Sequence, residues 1–97
     1  MDSMTLYEET THGIEEIKKD IESIQEDIEK TKKSIEFTTQ DDRRDILKRL
    51  LAAQKKIEML RMINLESQMI TLATLREAFY KRMLADATLH LQPERGR

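Results

Sequence analysis

Isoleucine recurs at Ile14, Ile17, Ile21, Ile24, Ile28 and Ile35, in alternating steps of three and four that Thr31 interrupts. That spacing is the heptad rhythm of a helix with one narrow apolar seam. Tyr7 and Thr10 extend the rhythm backwards, and Thr31 and Thr38 extend it forwards, with weaker side chains. Nearly everything between these positions is Glu, Asp, Lys, Ser or Gln, so the helix needs a second helix along its seam to stay ordered. The pattern predicts helix one over about residues 5–37. Thr5-Leu6-Tyr7-Glu8 has the form of a capping box, in which hydroxyl and carboxylate each satisfy a free amide. A competing start lies at Thr10-Thr11-His12-Gly13, because glycine costs about 1 kcal/mol inside a helix. Glu15–Lys19, Glu26–Lys30 and Glu29–Lys33 are pairs four apart that support the helix by a few tenths of a kcal/mol each.

Thr38-Thr39-Gln40-Asp41-Asp42 is the best interior break. Thr39 or Asp41 is suited to cap a new helix, and Asp41, Asp42 and Asp45 suit its positive end. A turn over 38–41 and a second helix over about 42–90 follow, with Pro93 stopping it and residues 91–97 forming a frayed tail. Such a helix is about 75 Å long at 1.5 Å per residue.

Helix two carries two apolar stripes. Ile46, Leu50, Ala53, Ile57 and Leu60 match the isoleucine rhythm, but the same rhythm then meets Asn64, Ser67, Thr71 and Thr74. A new stripe of Met62, Leu65, Met69, Leu72, Phe79 and Met83, flanked by Ile63, Ile70 and Leu75, begins two residues out of step. That offset turns the apolar side by about 200°. If the chain reverses near residue 40, Ile35 faces Ile46, Ile28 faces Ala53 and Ile21 faces Leu60. Helix one is then used up by about residue 70, and Leu72, Leu75, Phe79, Met83, Leu84 and Leu89 project uncovered. Apolar patches of that kind need a cover, and a second copy of the chain is the simplest.

The expected fold is therefore all-α: one coiled-coil domain over residues 1–97, an antiparallel hairpin with a long second helix. Ile14, Ile17, Ile21, Ile24, Ile28, Ile35, Ile46, Leu50, Ile57 and Leu60 form the intrachain seam. Met62, Leu65, Met69, Leu72, Leu75, Phe79 and Met83 form the dimer or partner interface. The alternative is a three-helix bundle broken near Asn64, where a buried Asn would otherwise fix register or oligomeric state.

Composition agrees with this architecture. Of 97 residues, 38% are hydrophobic and 37% charged, with two glycines and one proline, a balance typical of coiled coils. The absence of cysteine excludes disulfides and thiolate metal sites. The acidic, polar start is unlike a secretory signal, and the stretch from Met69 to Leu75 is far short of the ~20 residues of a membrane span. A soluble intracellular protein, cytoplasmic and without membrane attachment, is expected. Residues 1–40 carry 11 acidic and 5 basic groups, and residues 41–97 carry 8 and 12, so a net of −6 faces a net of +4. Opposite charge on the two halves favours their lying together or against copies of each other.

Sites for chemistry are scarce. Glu9 and His12 have the Glu-x-x-His spacing of helical carboxylate metal sites, but those need further inward carboxylates and the inward positions here are isoleucines. A helix-start turn with an exposed His12 is the better reading, and His90 belongs to a solvated helix end. Ser3, Ser23, Ser34 and Ser67 lie in a tail or on helices without a base partner or a strand-turn-helix setting. Gly13 and Gly96 cannot form a phosphate loop. No enzyme activity and no cofactor or metal is expected.

The pattern points to a non-enzymatic protein–protein interaction module, a small coiled-coil adaptor or scaffold subunit. Its expected partners are itself, as a dimer, and another helical protein. Two other readings compete with it. Arg43, Arg44, Lys48, Arg49, Lys55, Lys56 and Arg61 suit nucleic acid, although no aromatic residue interleaves them to stack on bases and the pI is near 5.7. Met59, Met62, Met69 and Met83 suit a holdase-like chaperone, since flexible thioethers adapt to varied partners.

Overall fold

The computed structural model describes the backbone of residues 3–95 and the side-chain surroundings of residues 4–89. Two helices, α1 (Ser3–Phe37) and α2 (Asp41–Arg95), form an antiparallel hairpin 87 × 18 × 16 Å in extent. The long dimension is that of α2 itself, whose 55 residues span about 82 Å. Among the described residues there is no strand, and no helix is long and apolar enough to cross a membrane.

α1 begins two residues before the expected capping box and runs unbroken through Gly13, whose φ is not positive. Its seam is the expected one. Ile14, Ile21 and Ile28 are buried, and Ile17, Ile24 and Ile35 are half-buried. Thr10 and Thr31 fill buried places in the same heptad series. Each removes the burial cost of its hydroxyl by donating to the carbonyl four residues back, Thr10 to Leu6 at 2.8 Å and Thr31 to Asp27 at 3.0 Å. The ion pairs on the outer face differ from expectation. Glu15–Lys18, Glu16–Lys19 and Glu29–Lys32 form at three-residue spacing in place of the pairs four apart. Both spacings bring side chains together on a helix surface.

Three residues, 38–40, reverse the chain. Gln40 takes the capping position expected of Thr39 or Asp41: its carbonyl accepts the Arg44 amide at 3.0 Å and so starts α2. The Arg44 guanidinium donates to the Thr38 carbonyl at 2.7 Å and lies 3.7 Å from Asp41, which ties the turn to the first turn of α2. α2 then continues without interruption through Asn64, so the three-helix alternative does not occur. It also carries Pro93 in its last turn, past the expected end of the helix. A proline there forfeits one hydrogen bond to the carbonyl four residues back, and loss of one bond at a terminus need not end the helix.

The face that α2 turns to α1 corrects the expected seam. Ile46, Leu50, Ala53, Ile57 and Leu60 are exposed, Ile46 by 64% and Leu60 by 62%. The half-buried positions are Arg44, Leu47, Leu51, Gln54, Glu58, Leu65, Gln68, Leu72, Leu75 and Phe79. They keep the three-four rhythm from one end of α1 to the other if Arg61 is counted between Glu58 and Leu65. The physical reason is length. The Ile46 stripe turns polar at Asn64 and would serve only half of α1. A face rotated by one residue, about 100°, reaches Leu65, Leu72, Leu75 and Phe79 and accepts Gln54 and Glu58 at its middle.

The core is correspondingly thin. Three isoleucines are the only buried hydrophobic side chains among the described residues, and none is fully enclosed. Ile21→Asp places an unpaired charge at the centre of that seam. It is expected to destabilise the hairpin by at least about 3 kcal/mol, read as loss of the cooperative helical melt by circular dichroism; an unchanged melting temperature would show that the seam is not buried. At Gly13 an added Cβ meets nothing within 4 Å, so Gly13→Ala is expected to stabilise by about 1 kcal/mol and to raise the same melting temperature by about 4–8 °C.

Candidate interaction surface

The middle of the hairpin is polar. Gln54 on α2 lies on the inner face, and its side-chain carbonyl oxygen is buried with no hydrogen-bond donor. Lys55 and Glu58 line one cleft with Gln25, Ile28, Glu29 and Lys32 of α1. One turn further along, the Arg61 guanidinium donates to the Asp20 carboxylate at 3.1 Å. Both partners are about half exposed, so the pair fixes orientation more than it stabilises. The Arg61–Asp20 pair ties the register of the two helices beside the buried Ile21 and Ile28.

At the open end of the hairpin the register is held by aromatic contact. The rings of Tyr7 and Phe79 meet edge to face with centroids 5.9 Å apart and planes at 73°, a favoured geometry for aromatic pairs. Arg76 Nε donates to the Tyr7 hydroxyl at 3.3 Å. Met4, Tyr7, Arg76, Phe79, Tyr80 and Met83 together line a groove, mostly apolar, where α1 runs out. Leu65, Leu72, Leu75 and Phe79, expected at the dimer interface, are therefore half-buried against α1 within one chain. Leu72, Leu75 and Phe79 are not uncovered as expected, because α1 reaches back to Ser3 and covers α2 as far as Phe79 and not residue 70.

Beyond the Met4 groove, α2 continues without α1 beside it. Tyr80, Met83, Leu84 and Leu89 are exposed by 56–71%. Lys81, Leu84, Ala85, Thr88 and Leu89 line a second, shallow apolar groove on this overhang. Met62 and Met69, the remaining interface candidates, are also exposed and share one face with Met83 at multiples of seven residues. Met59, Ile63 and Ile70 add further exposed apolar surface. α2 thus presents apolar residues on several sides, separated by charged ones.

The basic residues resolve into paired and unpaired sets. Arg61 pairs with Asp20 and Arg44 with Asp41. Among the described residues, Arg43, Lys48, Arg49, Lys55 and Lys56 have no carboxylate within 4 Å, so α1 neutralises few of them. His12 is exposed and lies 3.9 Å from Glu16. Among the described residues no group of three or more His, Cys, Asp or Glu side chains is placed to hold a metal ion. The side chain of His90 lies outside the described residues, as do Gly96 and Arg97.

Comparison with family models, curated proteins and solved structures gives no match. The surface chemistry alone therefore carries the functional reading. It also yields a test of the polar layer. Gln54→Leu removes the buried oxygen without a donor and is expected to stabilise the hairpin by about 1 kcal/mol. The readout is the urea midpoint at unchanged slope; a lower midpoint would mean that Gln54 makes a bond essential to the hairpin.

Proposed function

We propose that the protein is a non-enzymatic interaction module, a small coiled-coil adaptor or scaffold subunit that self-associates through the distal part of α2. The observation that carries this reading is the overhang. The first turns of α1 lie beside Phe79, Tyr80 and Met83, and the distal part of α2 exposes Tyr80, Met83, Leu84 and Leu89. A lone helix with such apolar exposure is marginal in water, and helices in proteins owe most of their stability to packing. A second overhang, antiparallel to the first, supplies an apolar face of the same kind. The exposed Met62 and Met69 extend the surface back along the hairpin. Thioethers fill irregular contacts well, which suits an interface shared with a copy or a related helix.

In solution the wild-type chain is expected at twice its 11.5 kDa mass by light scattering. Met83→Asp combined with Leu84→Asp is expected to halve that mass. Both side chains are mostly exposed, Met83 at the rim of the groove that Met4 and Tyr7 share, so the hairpin's helical signal and cooperative melt should persist. A wild-type protein that is monomeric at micromolar concentration, or a doubly substituted chain that remains a dimer, would defeat the assignment.

A further inference from the structure

The stripe Ile46, Leu50, Ala53, Ile57 and Leu60 is a complete apolar heptad series that α1 leaves uncovered. It lies in the half of α2 nearest the turn, away from the overhang. Its borders are mainly basic, with Asp42 the one acidic residue in the heptad column of Arg49 and Lys56. Arg49 and Lys56, seven residues apart, stand about 70° round the helix on the side away from α1. Arg43 and Arg61 stand on the other side. Residues 41–64 carry seven basic and four acidic groups, and neither Arg49 nor Lys56 has an ion-pair partner among the described residues. Ile57, Leu60, Arg61 and Asn64 line a shallow groove along the stripe.

We infer that this stripe docks an amphipathic helix from another protein, one with an apolar seam in heptad rhythm and acidic residues on both flanks. The apolar positions would interdigitate as in a coiled coil, and the acidic flanks would meet Arg49 and Lys56. Charge complementarity selects this occupant over a second copy. An antiparallel twofold pairing of the stripe with itself sets the Arg49 and Lys56 border against its own copy, and a parallel one sets it against Arg43 and Arg61. The antiparallel arrangement also brings one α1 beside the other, and residues 1–40 carry a net −6 in each chain. The alternative pairing, α1 of a copy over the stripe, satisfies charge but offers no apolar series, because the seam of α1 is spent inside its own hairpin. Nucleic acid would use the cations and leave the four large aliphatic side chains in water.

The test uses the full chain and two labelled four-heptad peptides with Leu and Ile at the seam, one flanked by Glu and one by Lys. Fluorescence anisotropy is expected to show saturable binding of the Glu peptide at one per chain, with the Lys peptide at least about tenfold weaker. Arg49→Glu with Lys56→Glu should reverse that preference. Ile46→Asp with Leu60→Asp should abolish binding while helical content is retained, since both positions already face solvent. Failure of both peptides to bind, or equal binding of the two, overturns the inference. It is also overturned if Ile46→Asp with Leu60→Asp lowers the mass of the wild-type oligomer and no peptide binds, which gives the stripe to a second copy. Displacement of the Glu peptide by a single-stranded oligonucleotide whose own binding needs Arg49 and Lys56 but not Ile46 and Leu60 gives it to nucleic acid. Neither variant touches the overhang, so dimerisation through Met83 and Leu84 stands or falls by its own measurement.

Discussion

A helix of 35 residues with one apolar seam lies against a helix of 55 residues with several, and that mismatch governs everything else in this molecule. α1 can cover only one strip of α2, and only over its own length. The strip selected is the one that stays in phase with the seam from Arg44 to Phe79, even though it includes Gln54, Glu58 and Gln68. Continuity along the pair outweighs the apolar quality of any single layer, because a strip that drifts out of phase leaves whole turns of α1 without cover.

The consequence is that α2 faces water with side chains that would ordinarily form a core. Ile46 and Leu60 on one flank, Met62 and Met69 on another, and Tyr80, Met83, Leu84 and Leu89 on the overhang are all exposed. Among the described residues the hairpin buries little: three isoleucines and two threonines whose hydroxyls are absorbed by the backbone of their own helix. A small helical chain with so thin an interior gains stability from association. The proposed interaction module rests on that imbalance.

Polar residues inside the pair have a separate role. The Arg61–Asp20 pair contributes little to stability, yet it ties one turn of α2 to one turn of α1, whereas Gln54 with its unsatisfied oxygen costs stability in the same layer. The Tyr7–Phe79 contact fixes the open end in the same way. Register set at the middle and at one end determines how much of α2 is left over, and so where the overhang begins.

By itself the sequence determined the all-helical class, the reversal near residue 40, and the seam of α1 down to the threonines at positions 10 and 31. All of these follow from local periodicity on a helix whose polar residues leave a single face available. The continuity of α2 through Asn64 and the choice of Leu47 and Leu51 over Ile46 and Leu50 for its inner face were decided only in the tertiary structure. Two apolar series one residue apart look alike along the chain. What separates them is which one remains apolar opposite the far end of α1, and that depends on the reach of a helix distant in sequence. The division of the distal residues has the same origin: Leu72, Leu75 and Phe79 turn to α1, while Met83 stands at the rim of the groove with Met4 and Tyr7 and Leu84 turns away from it.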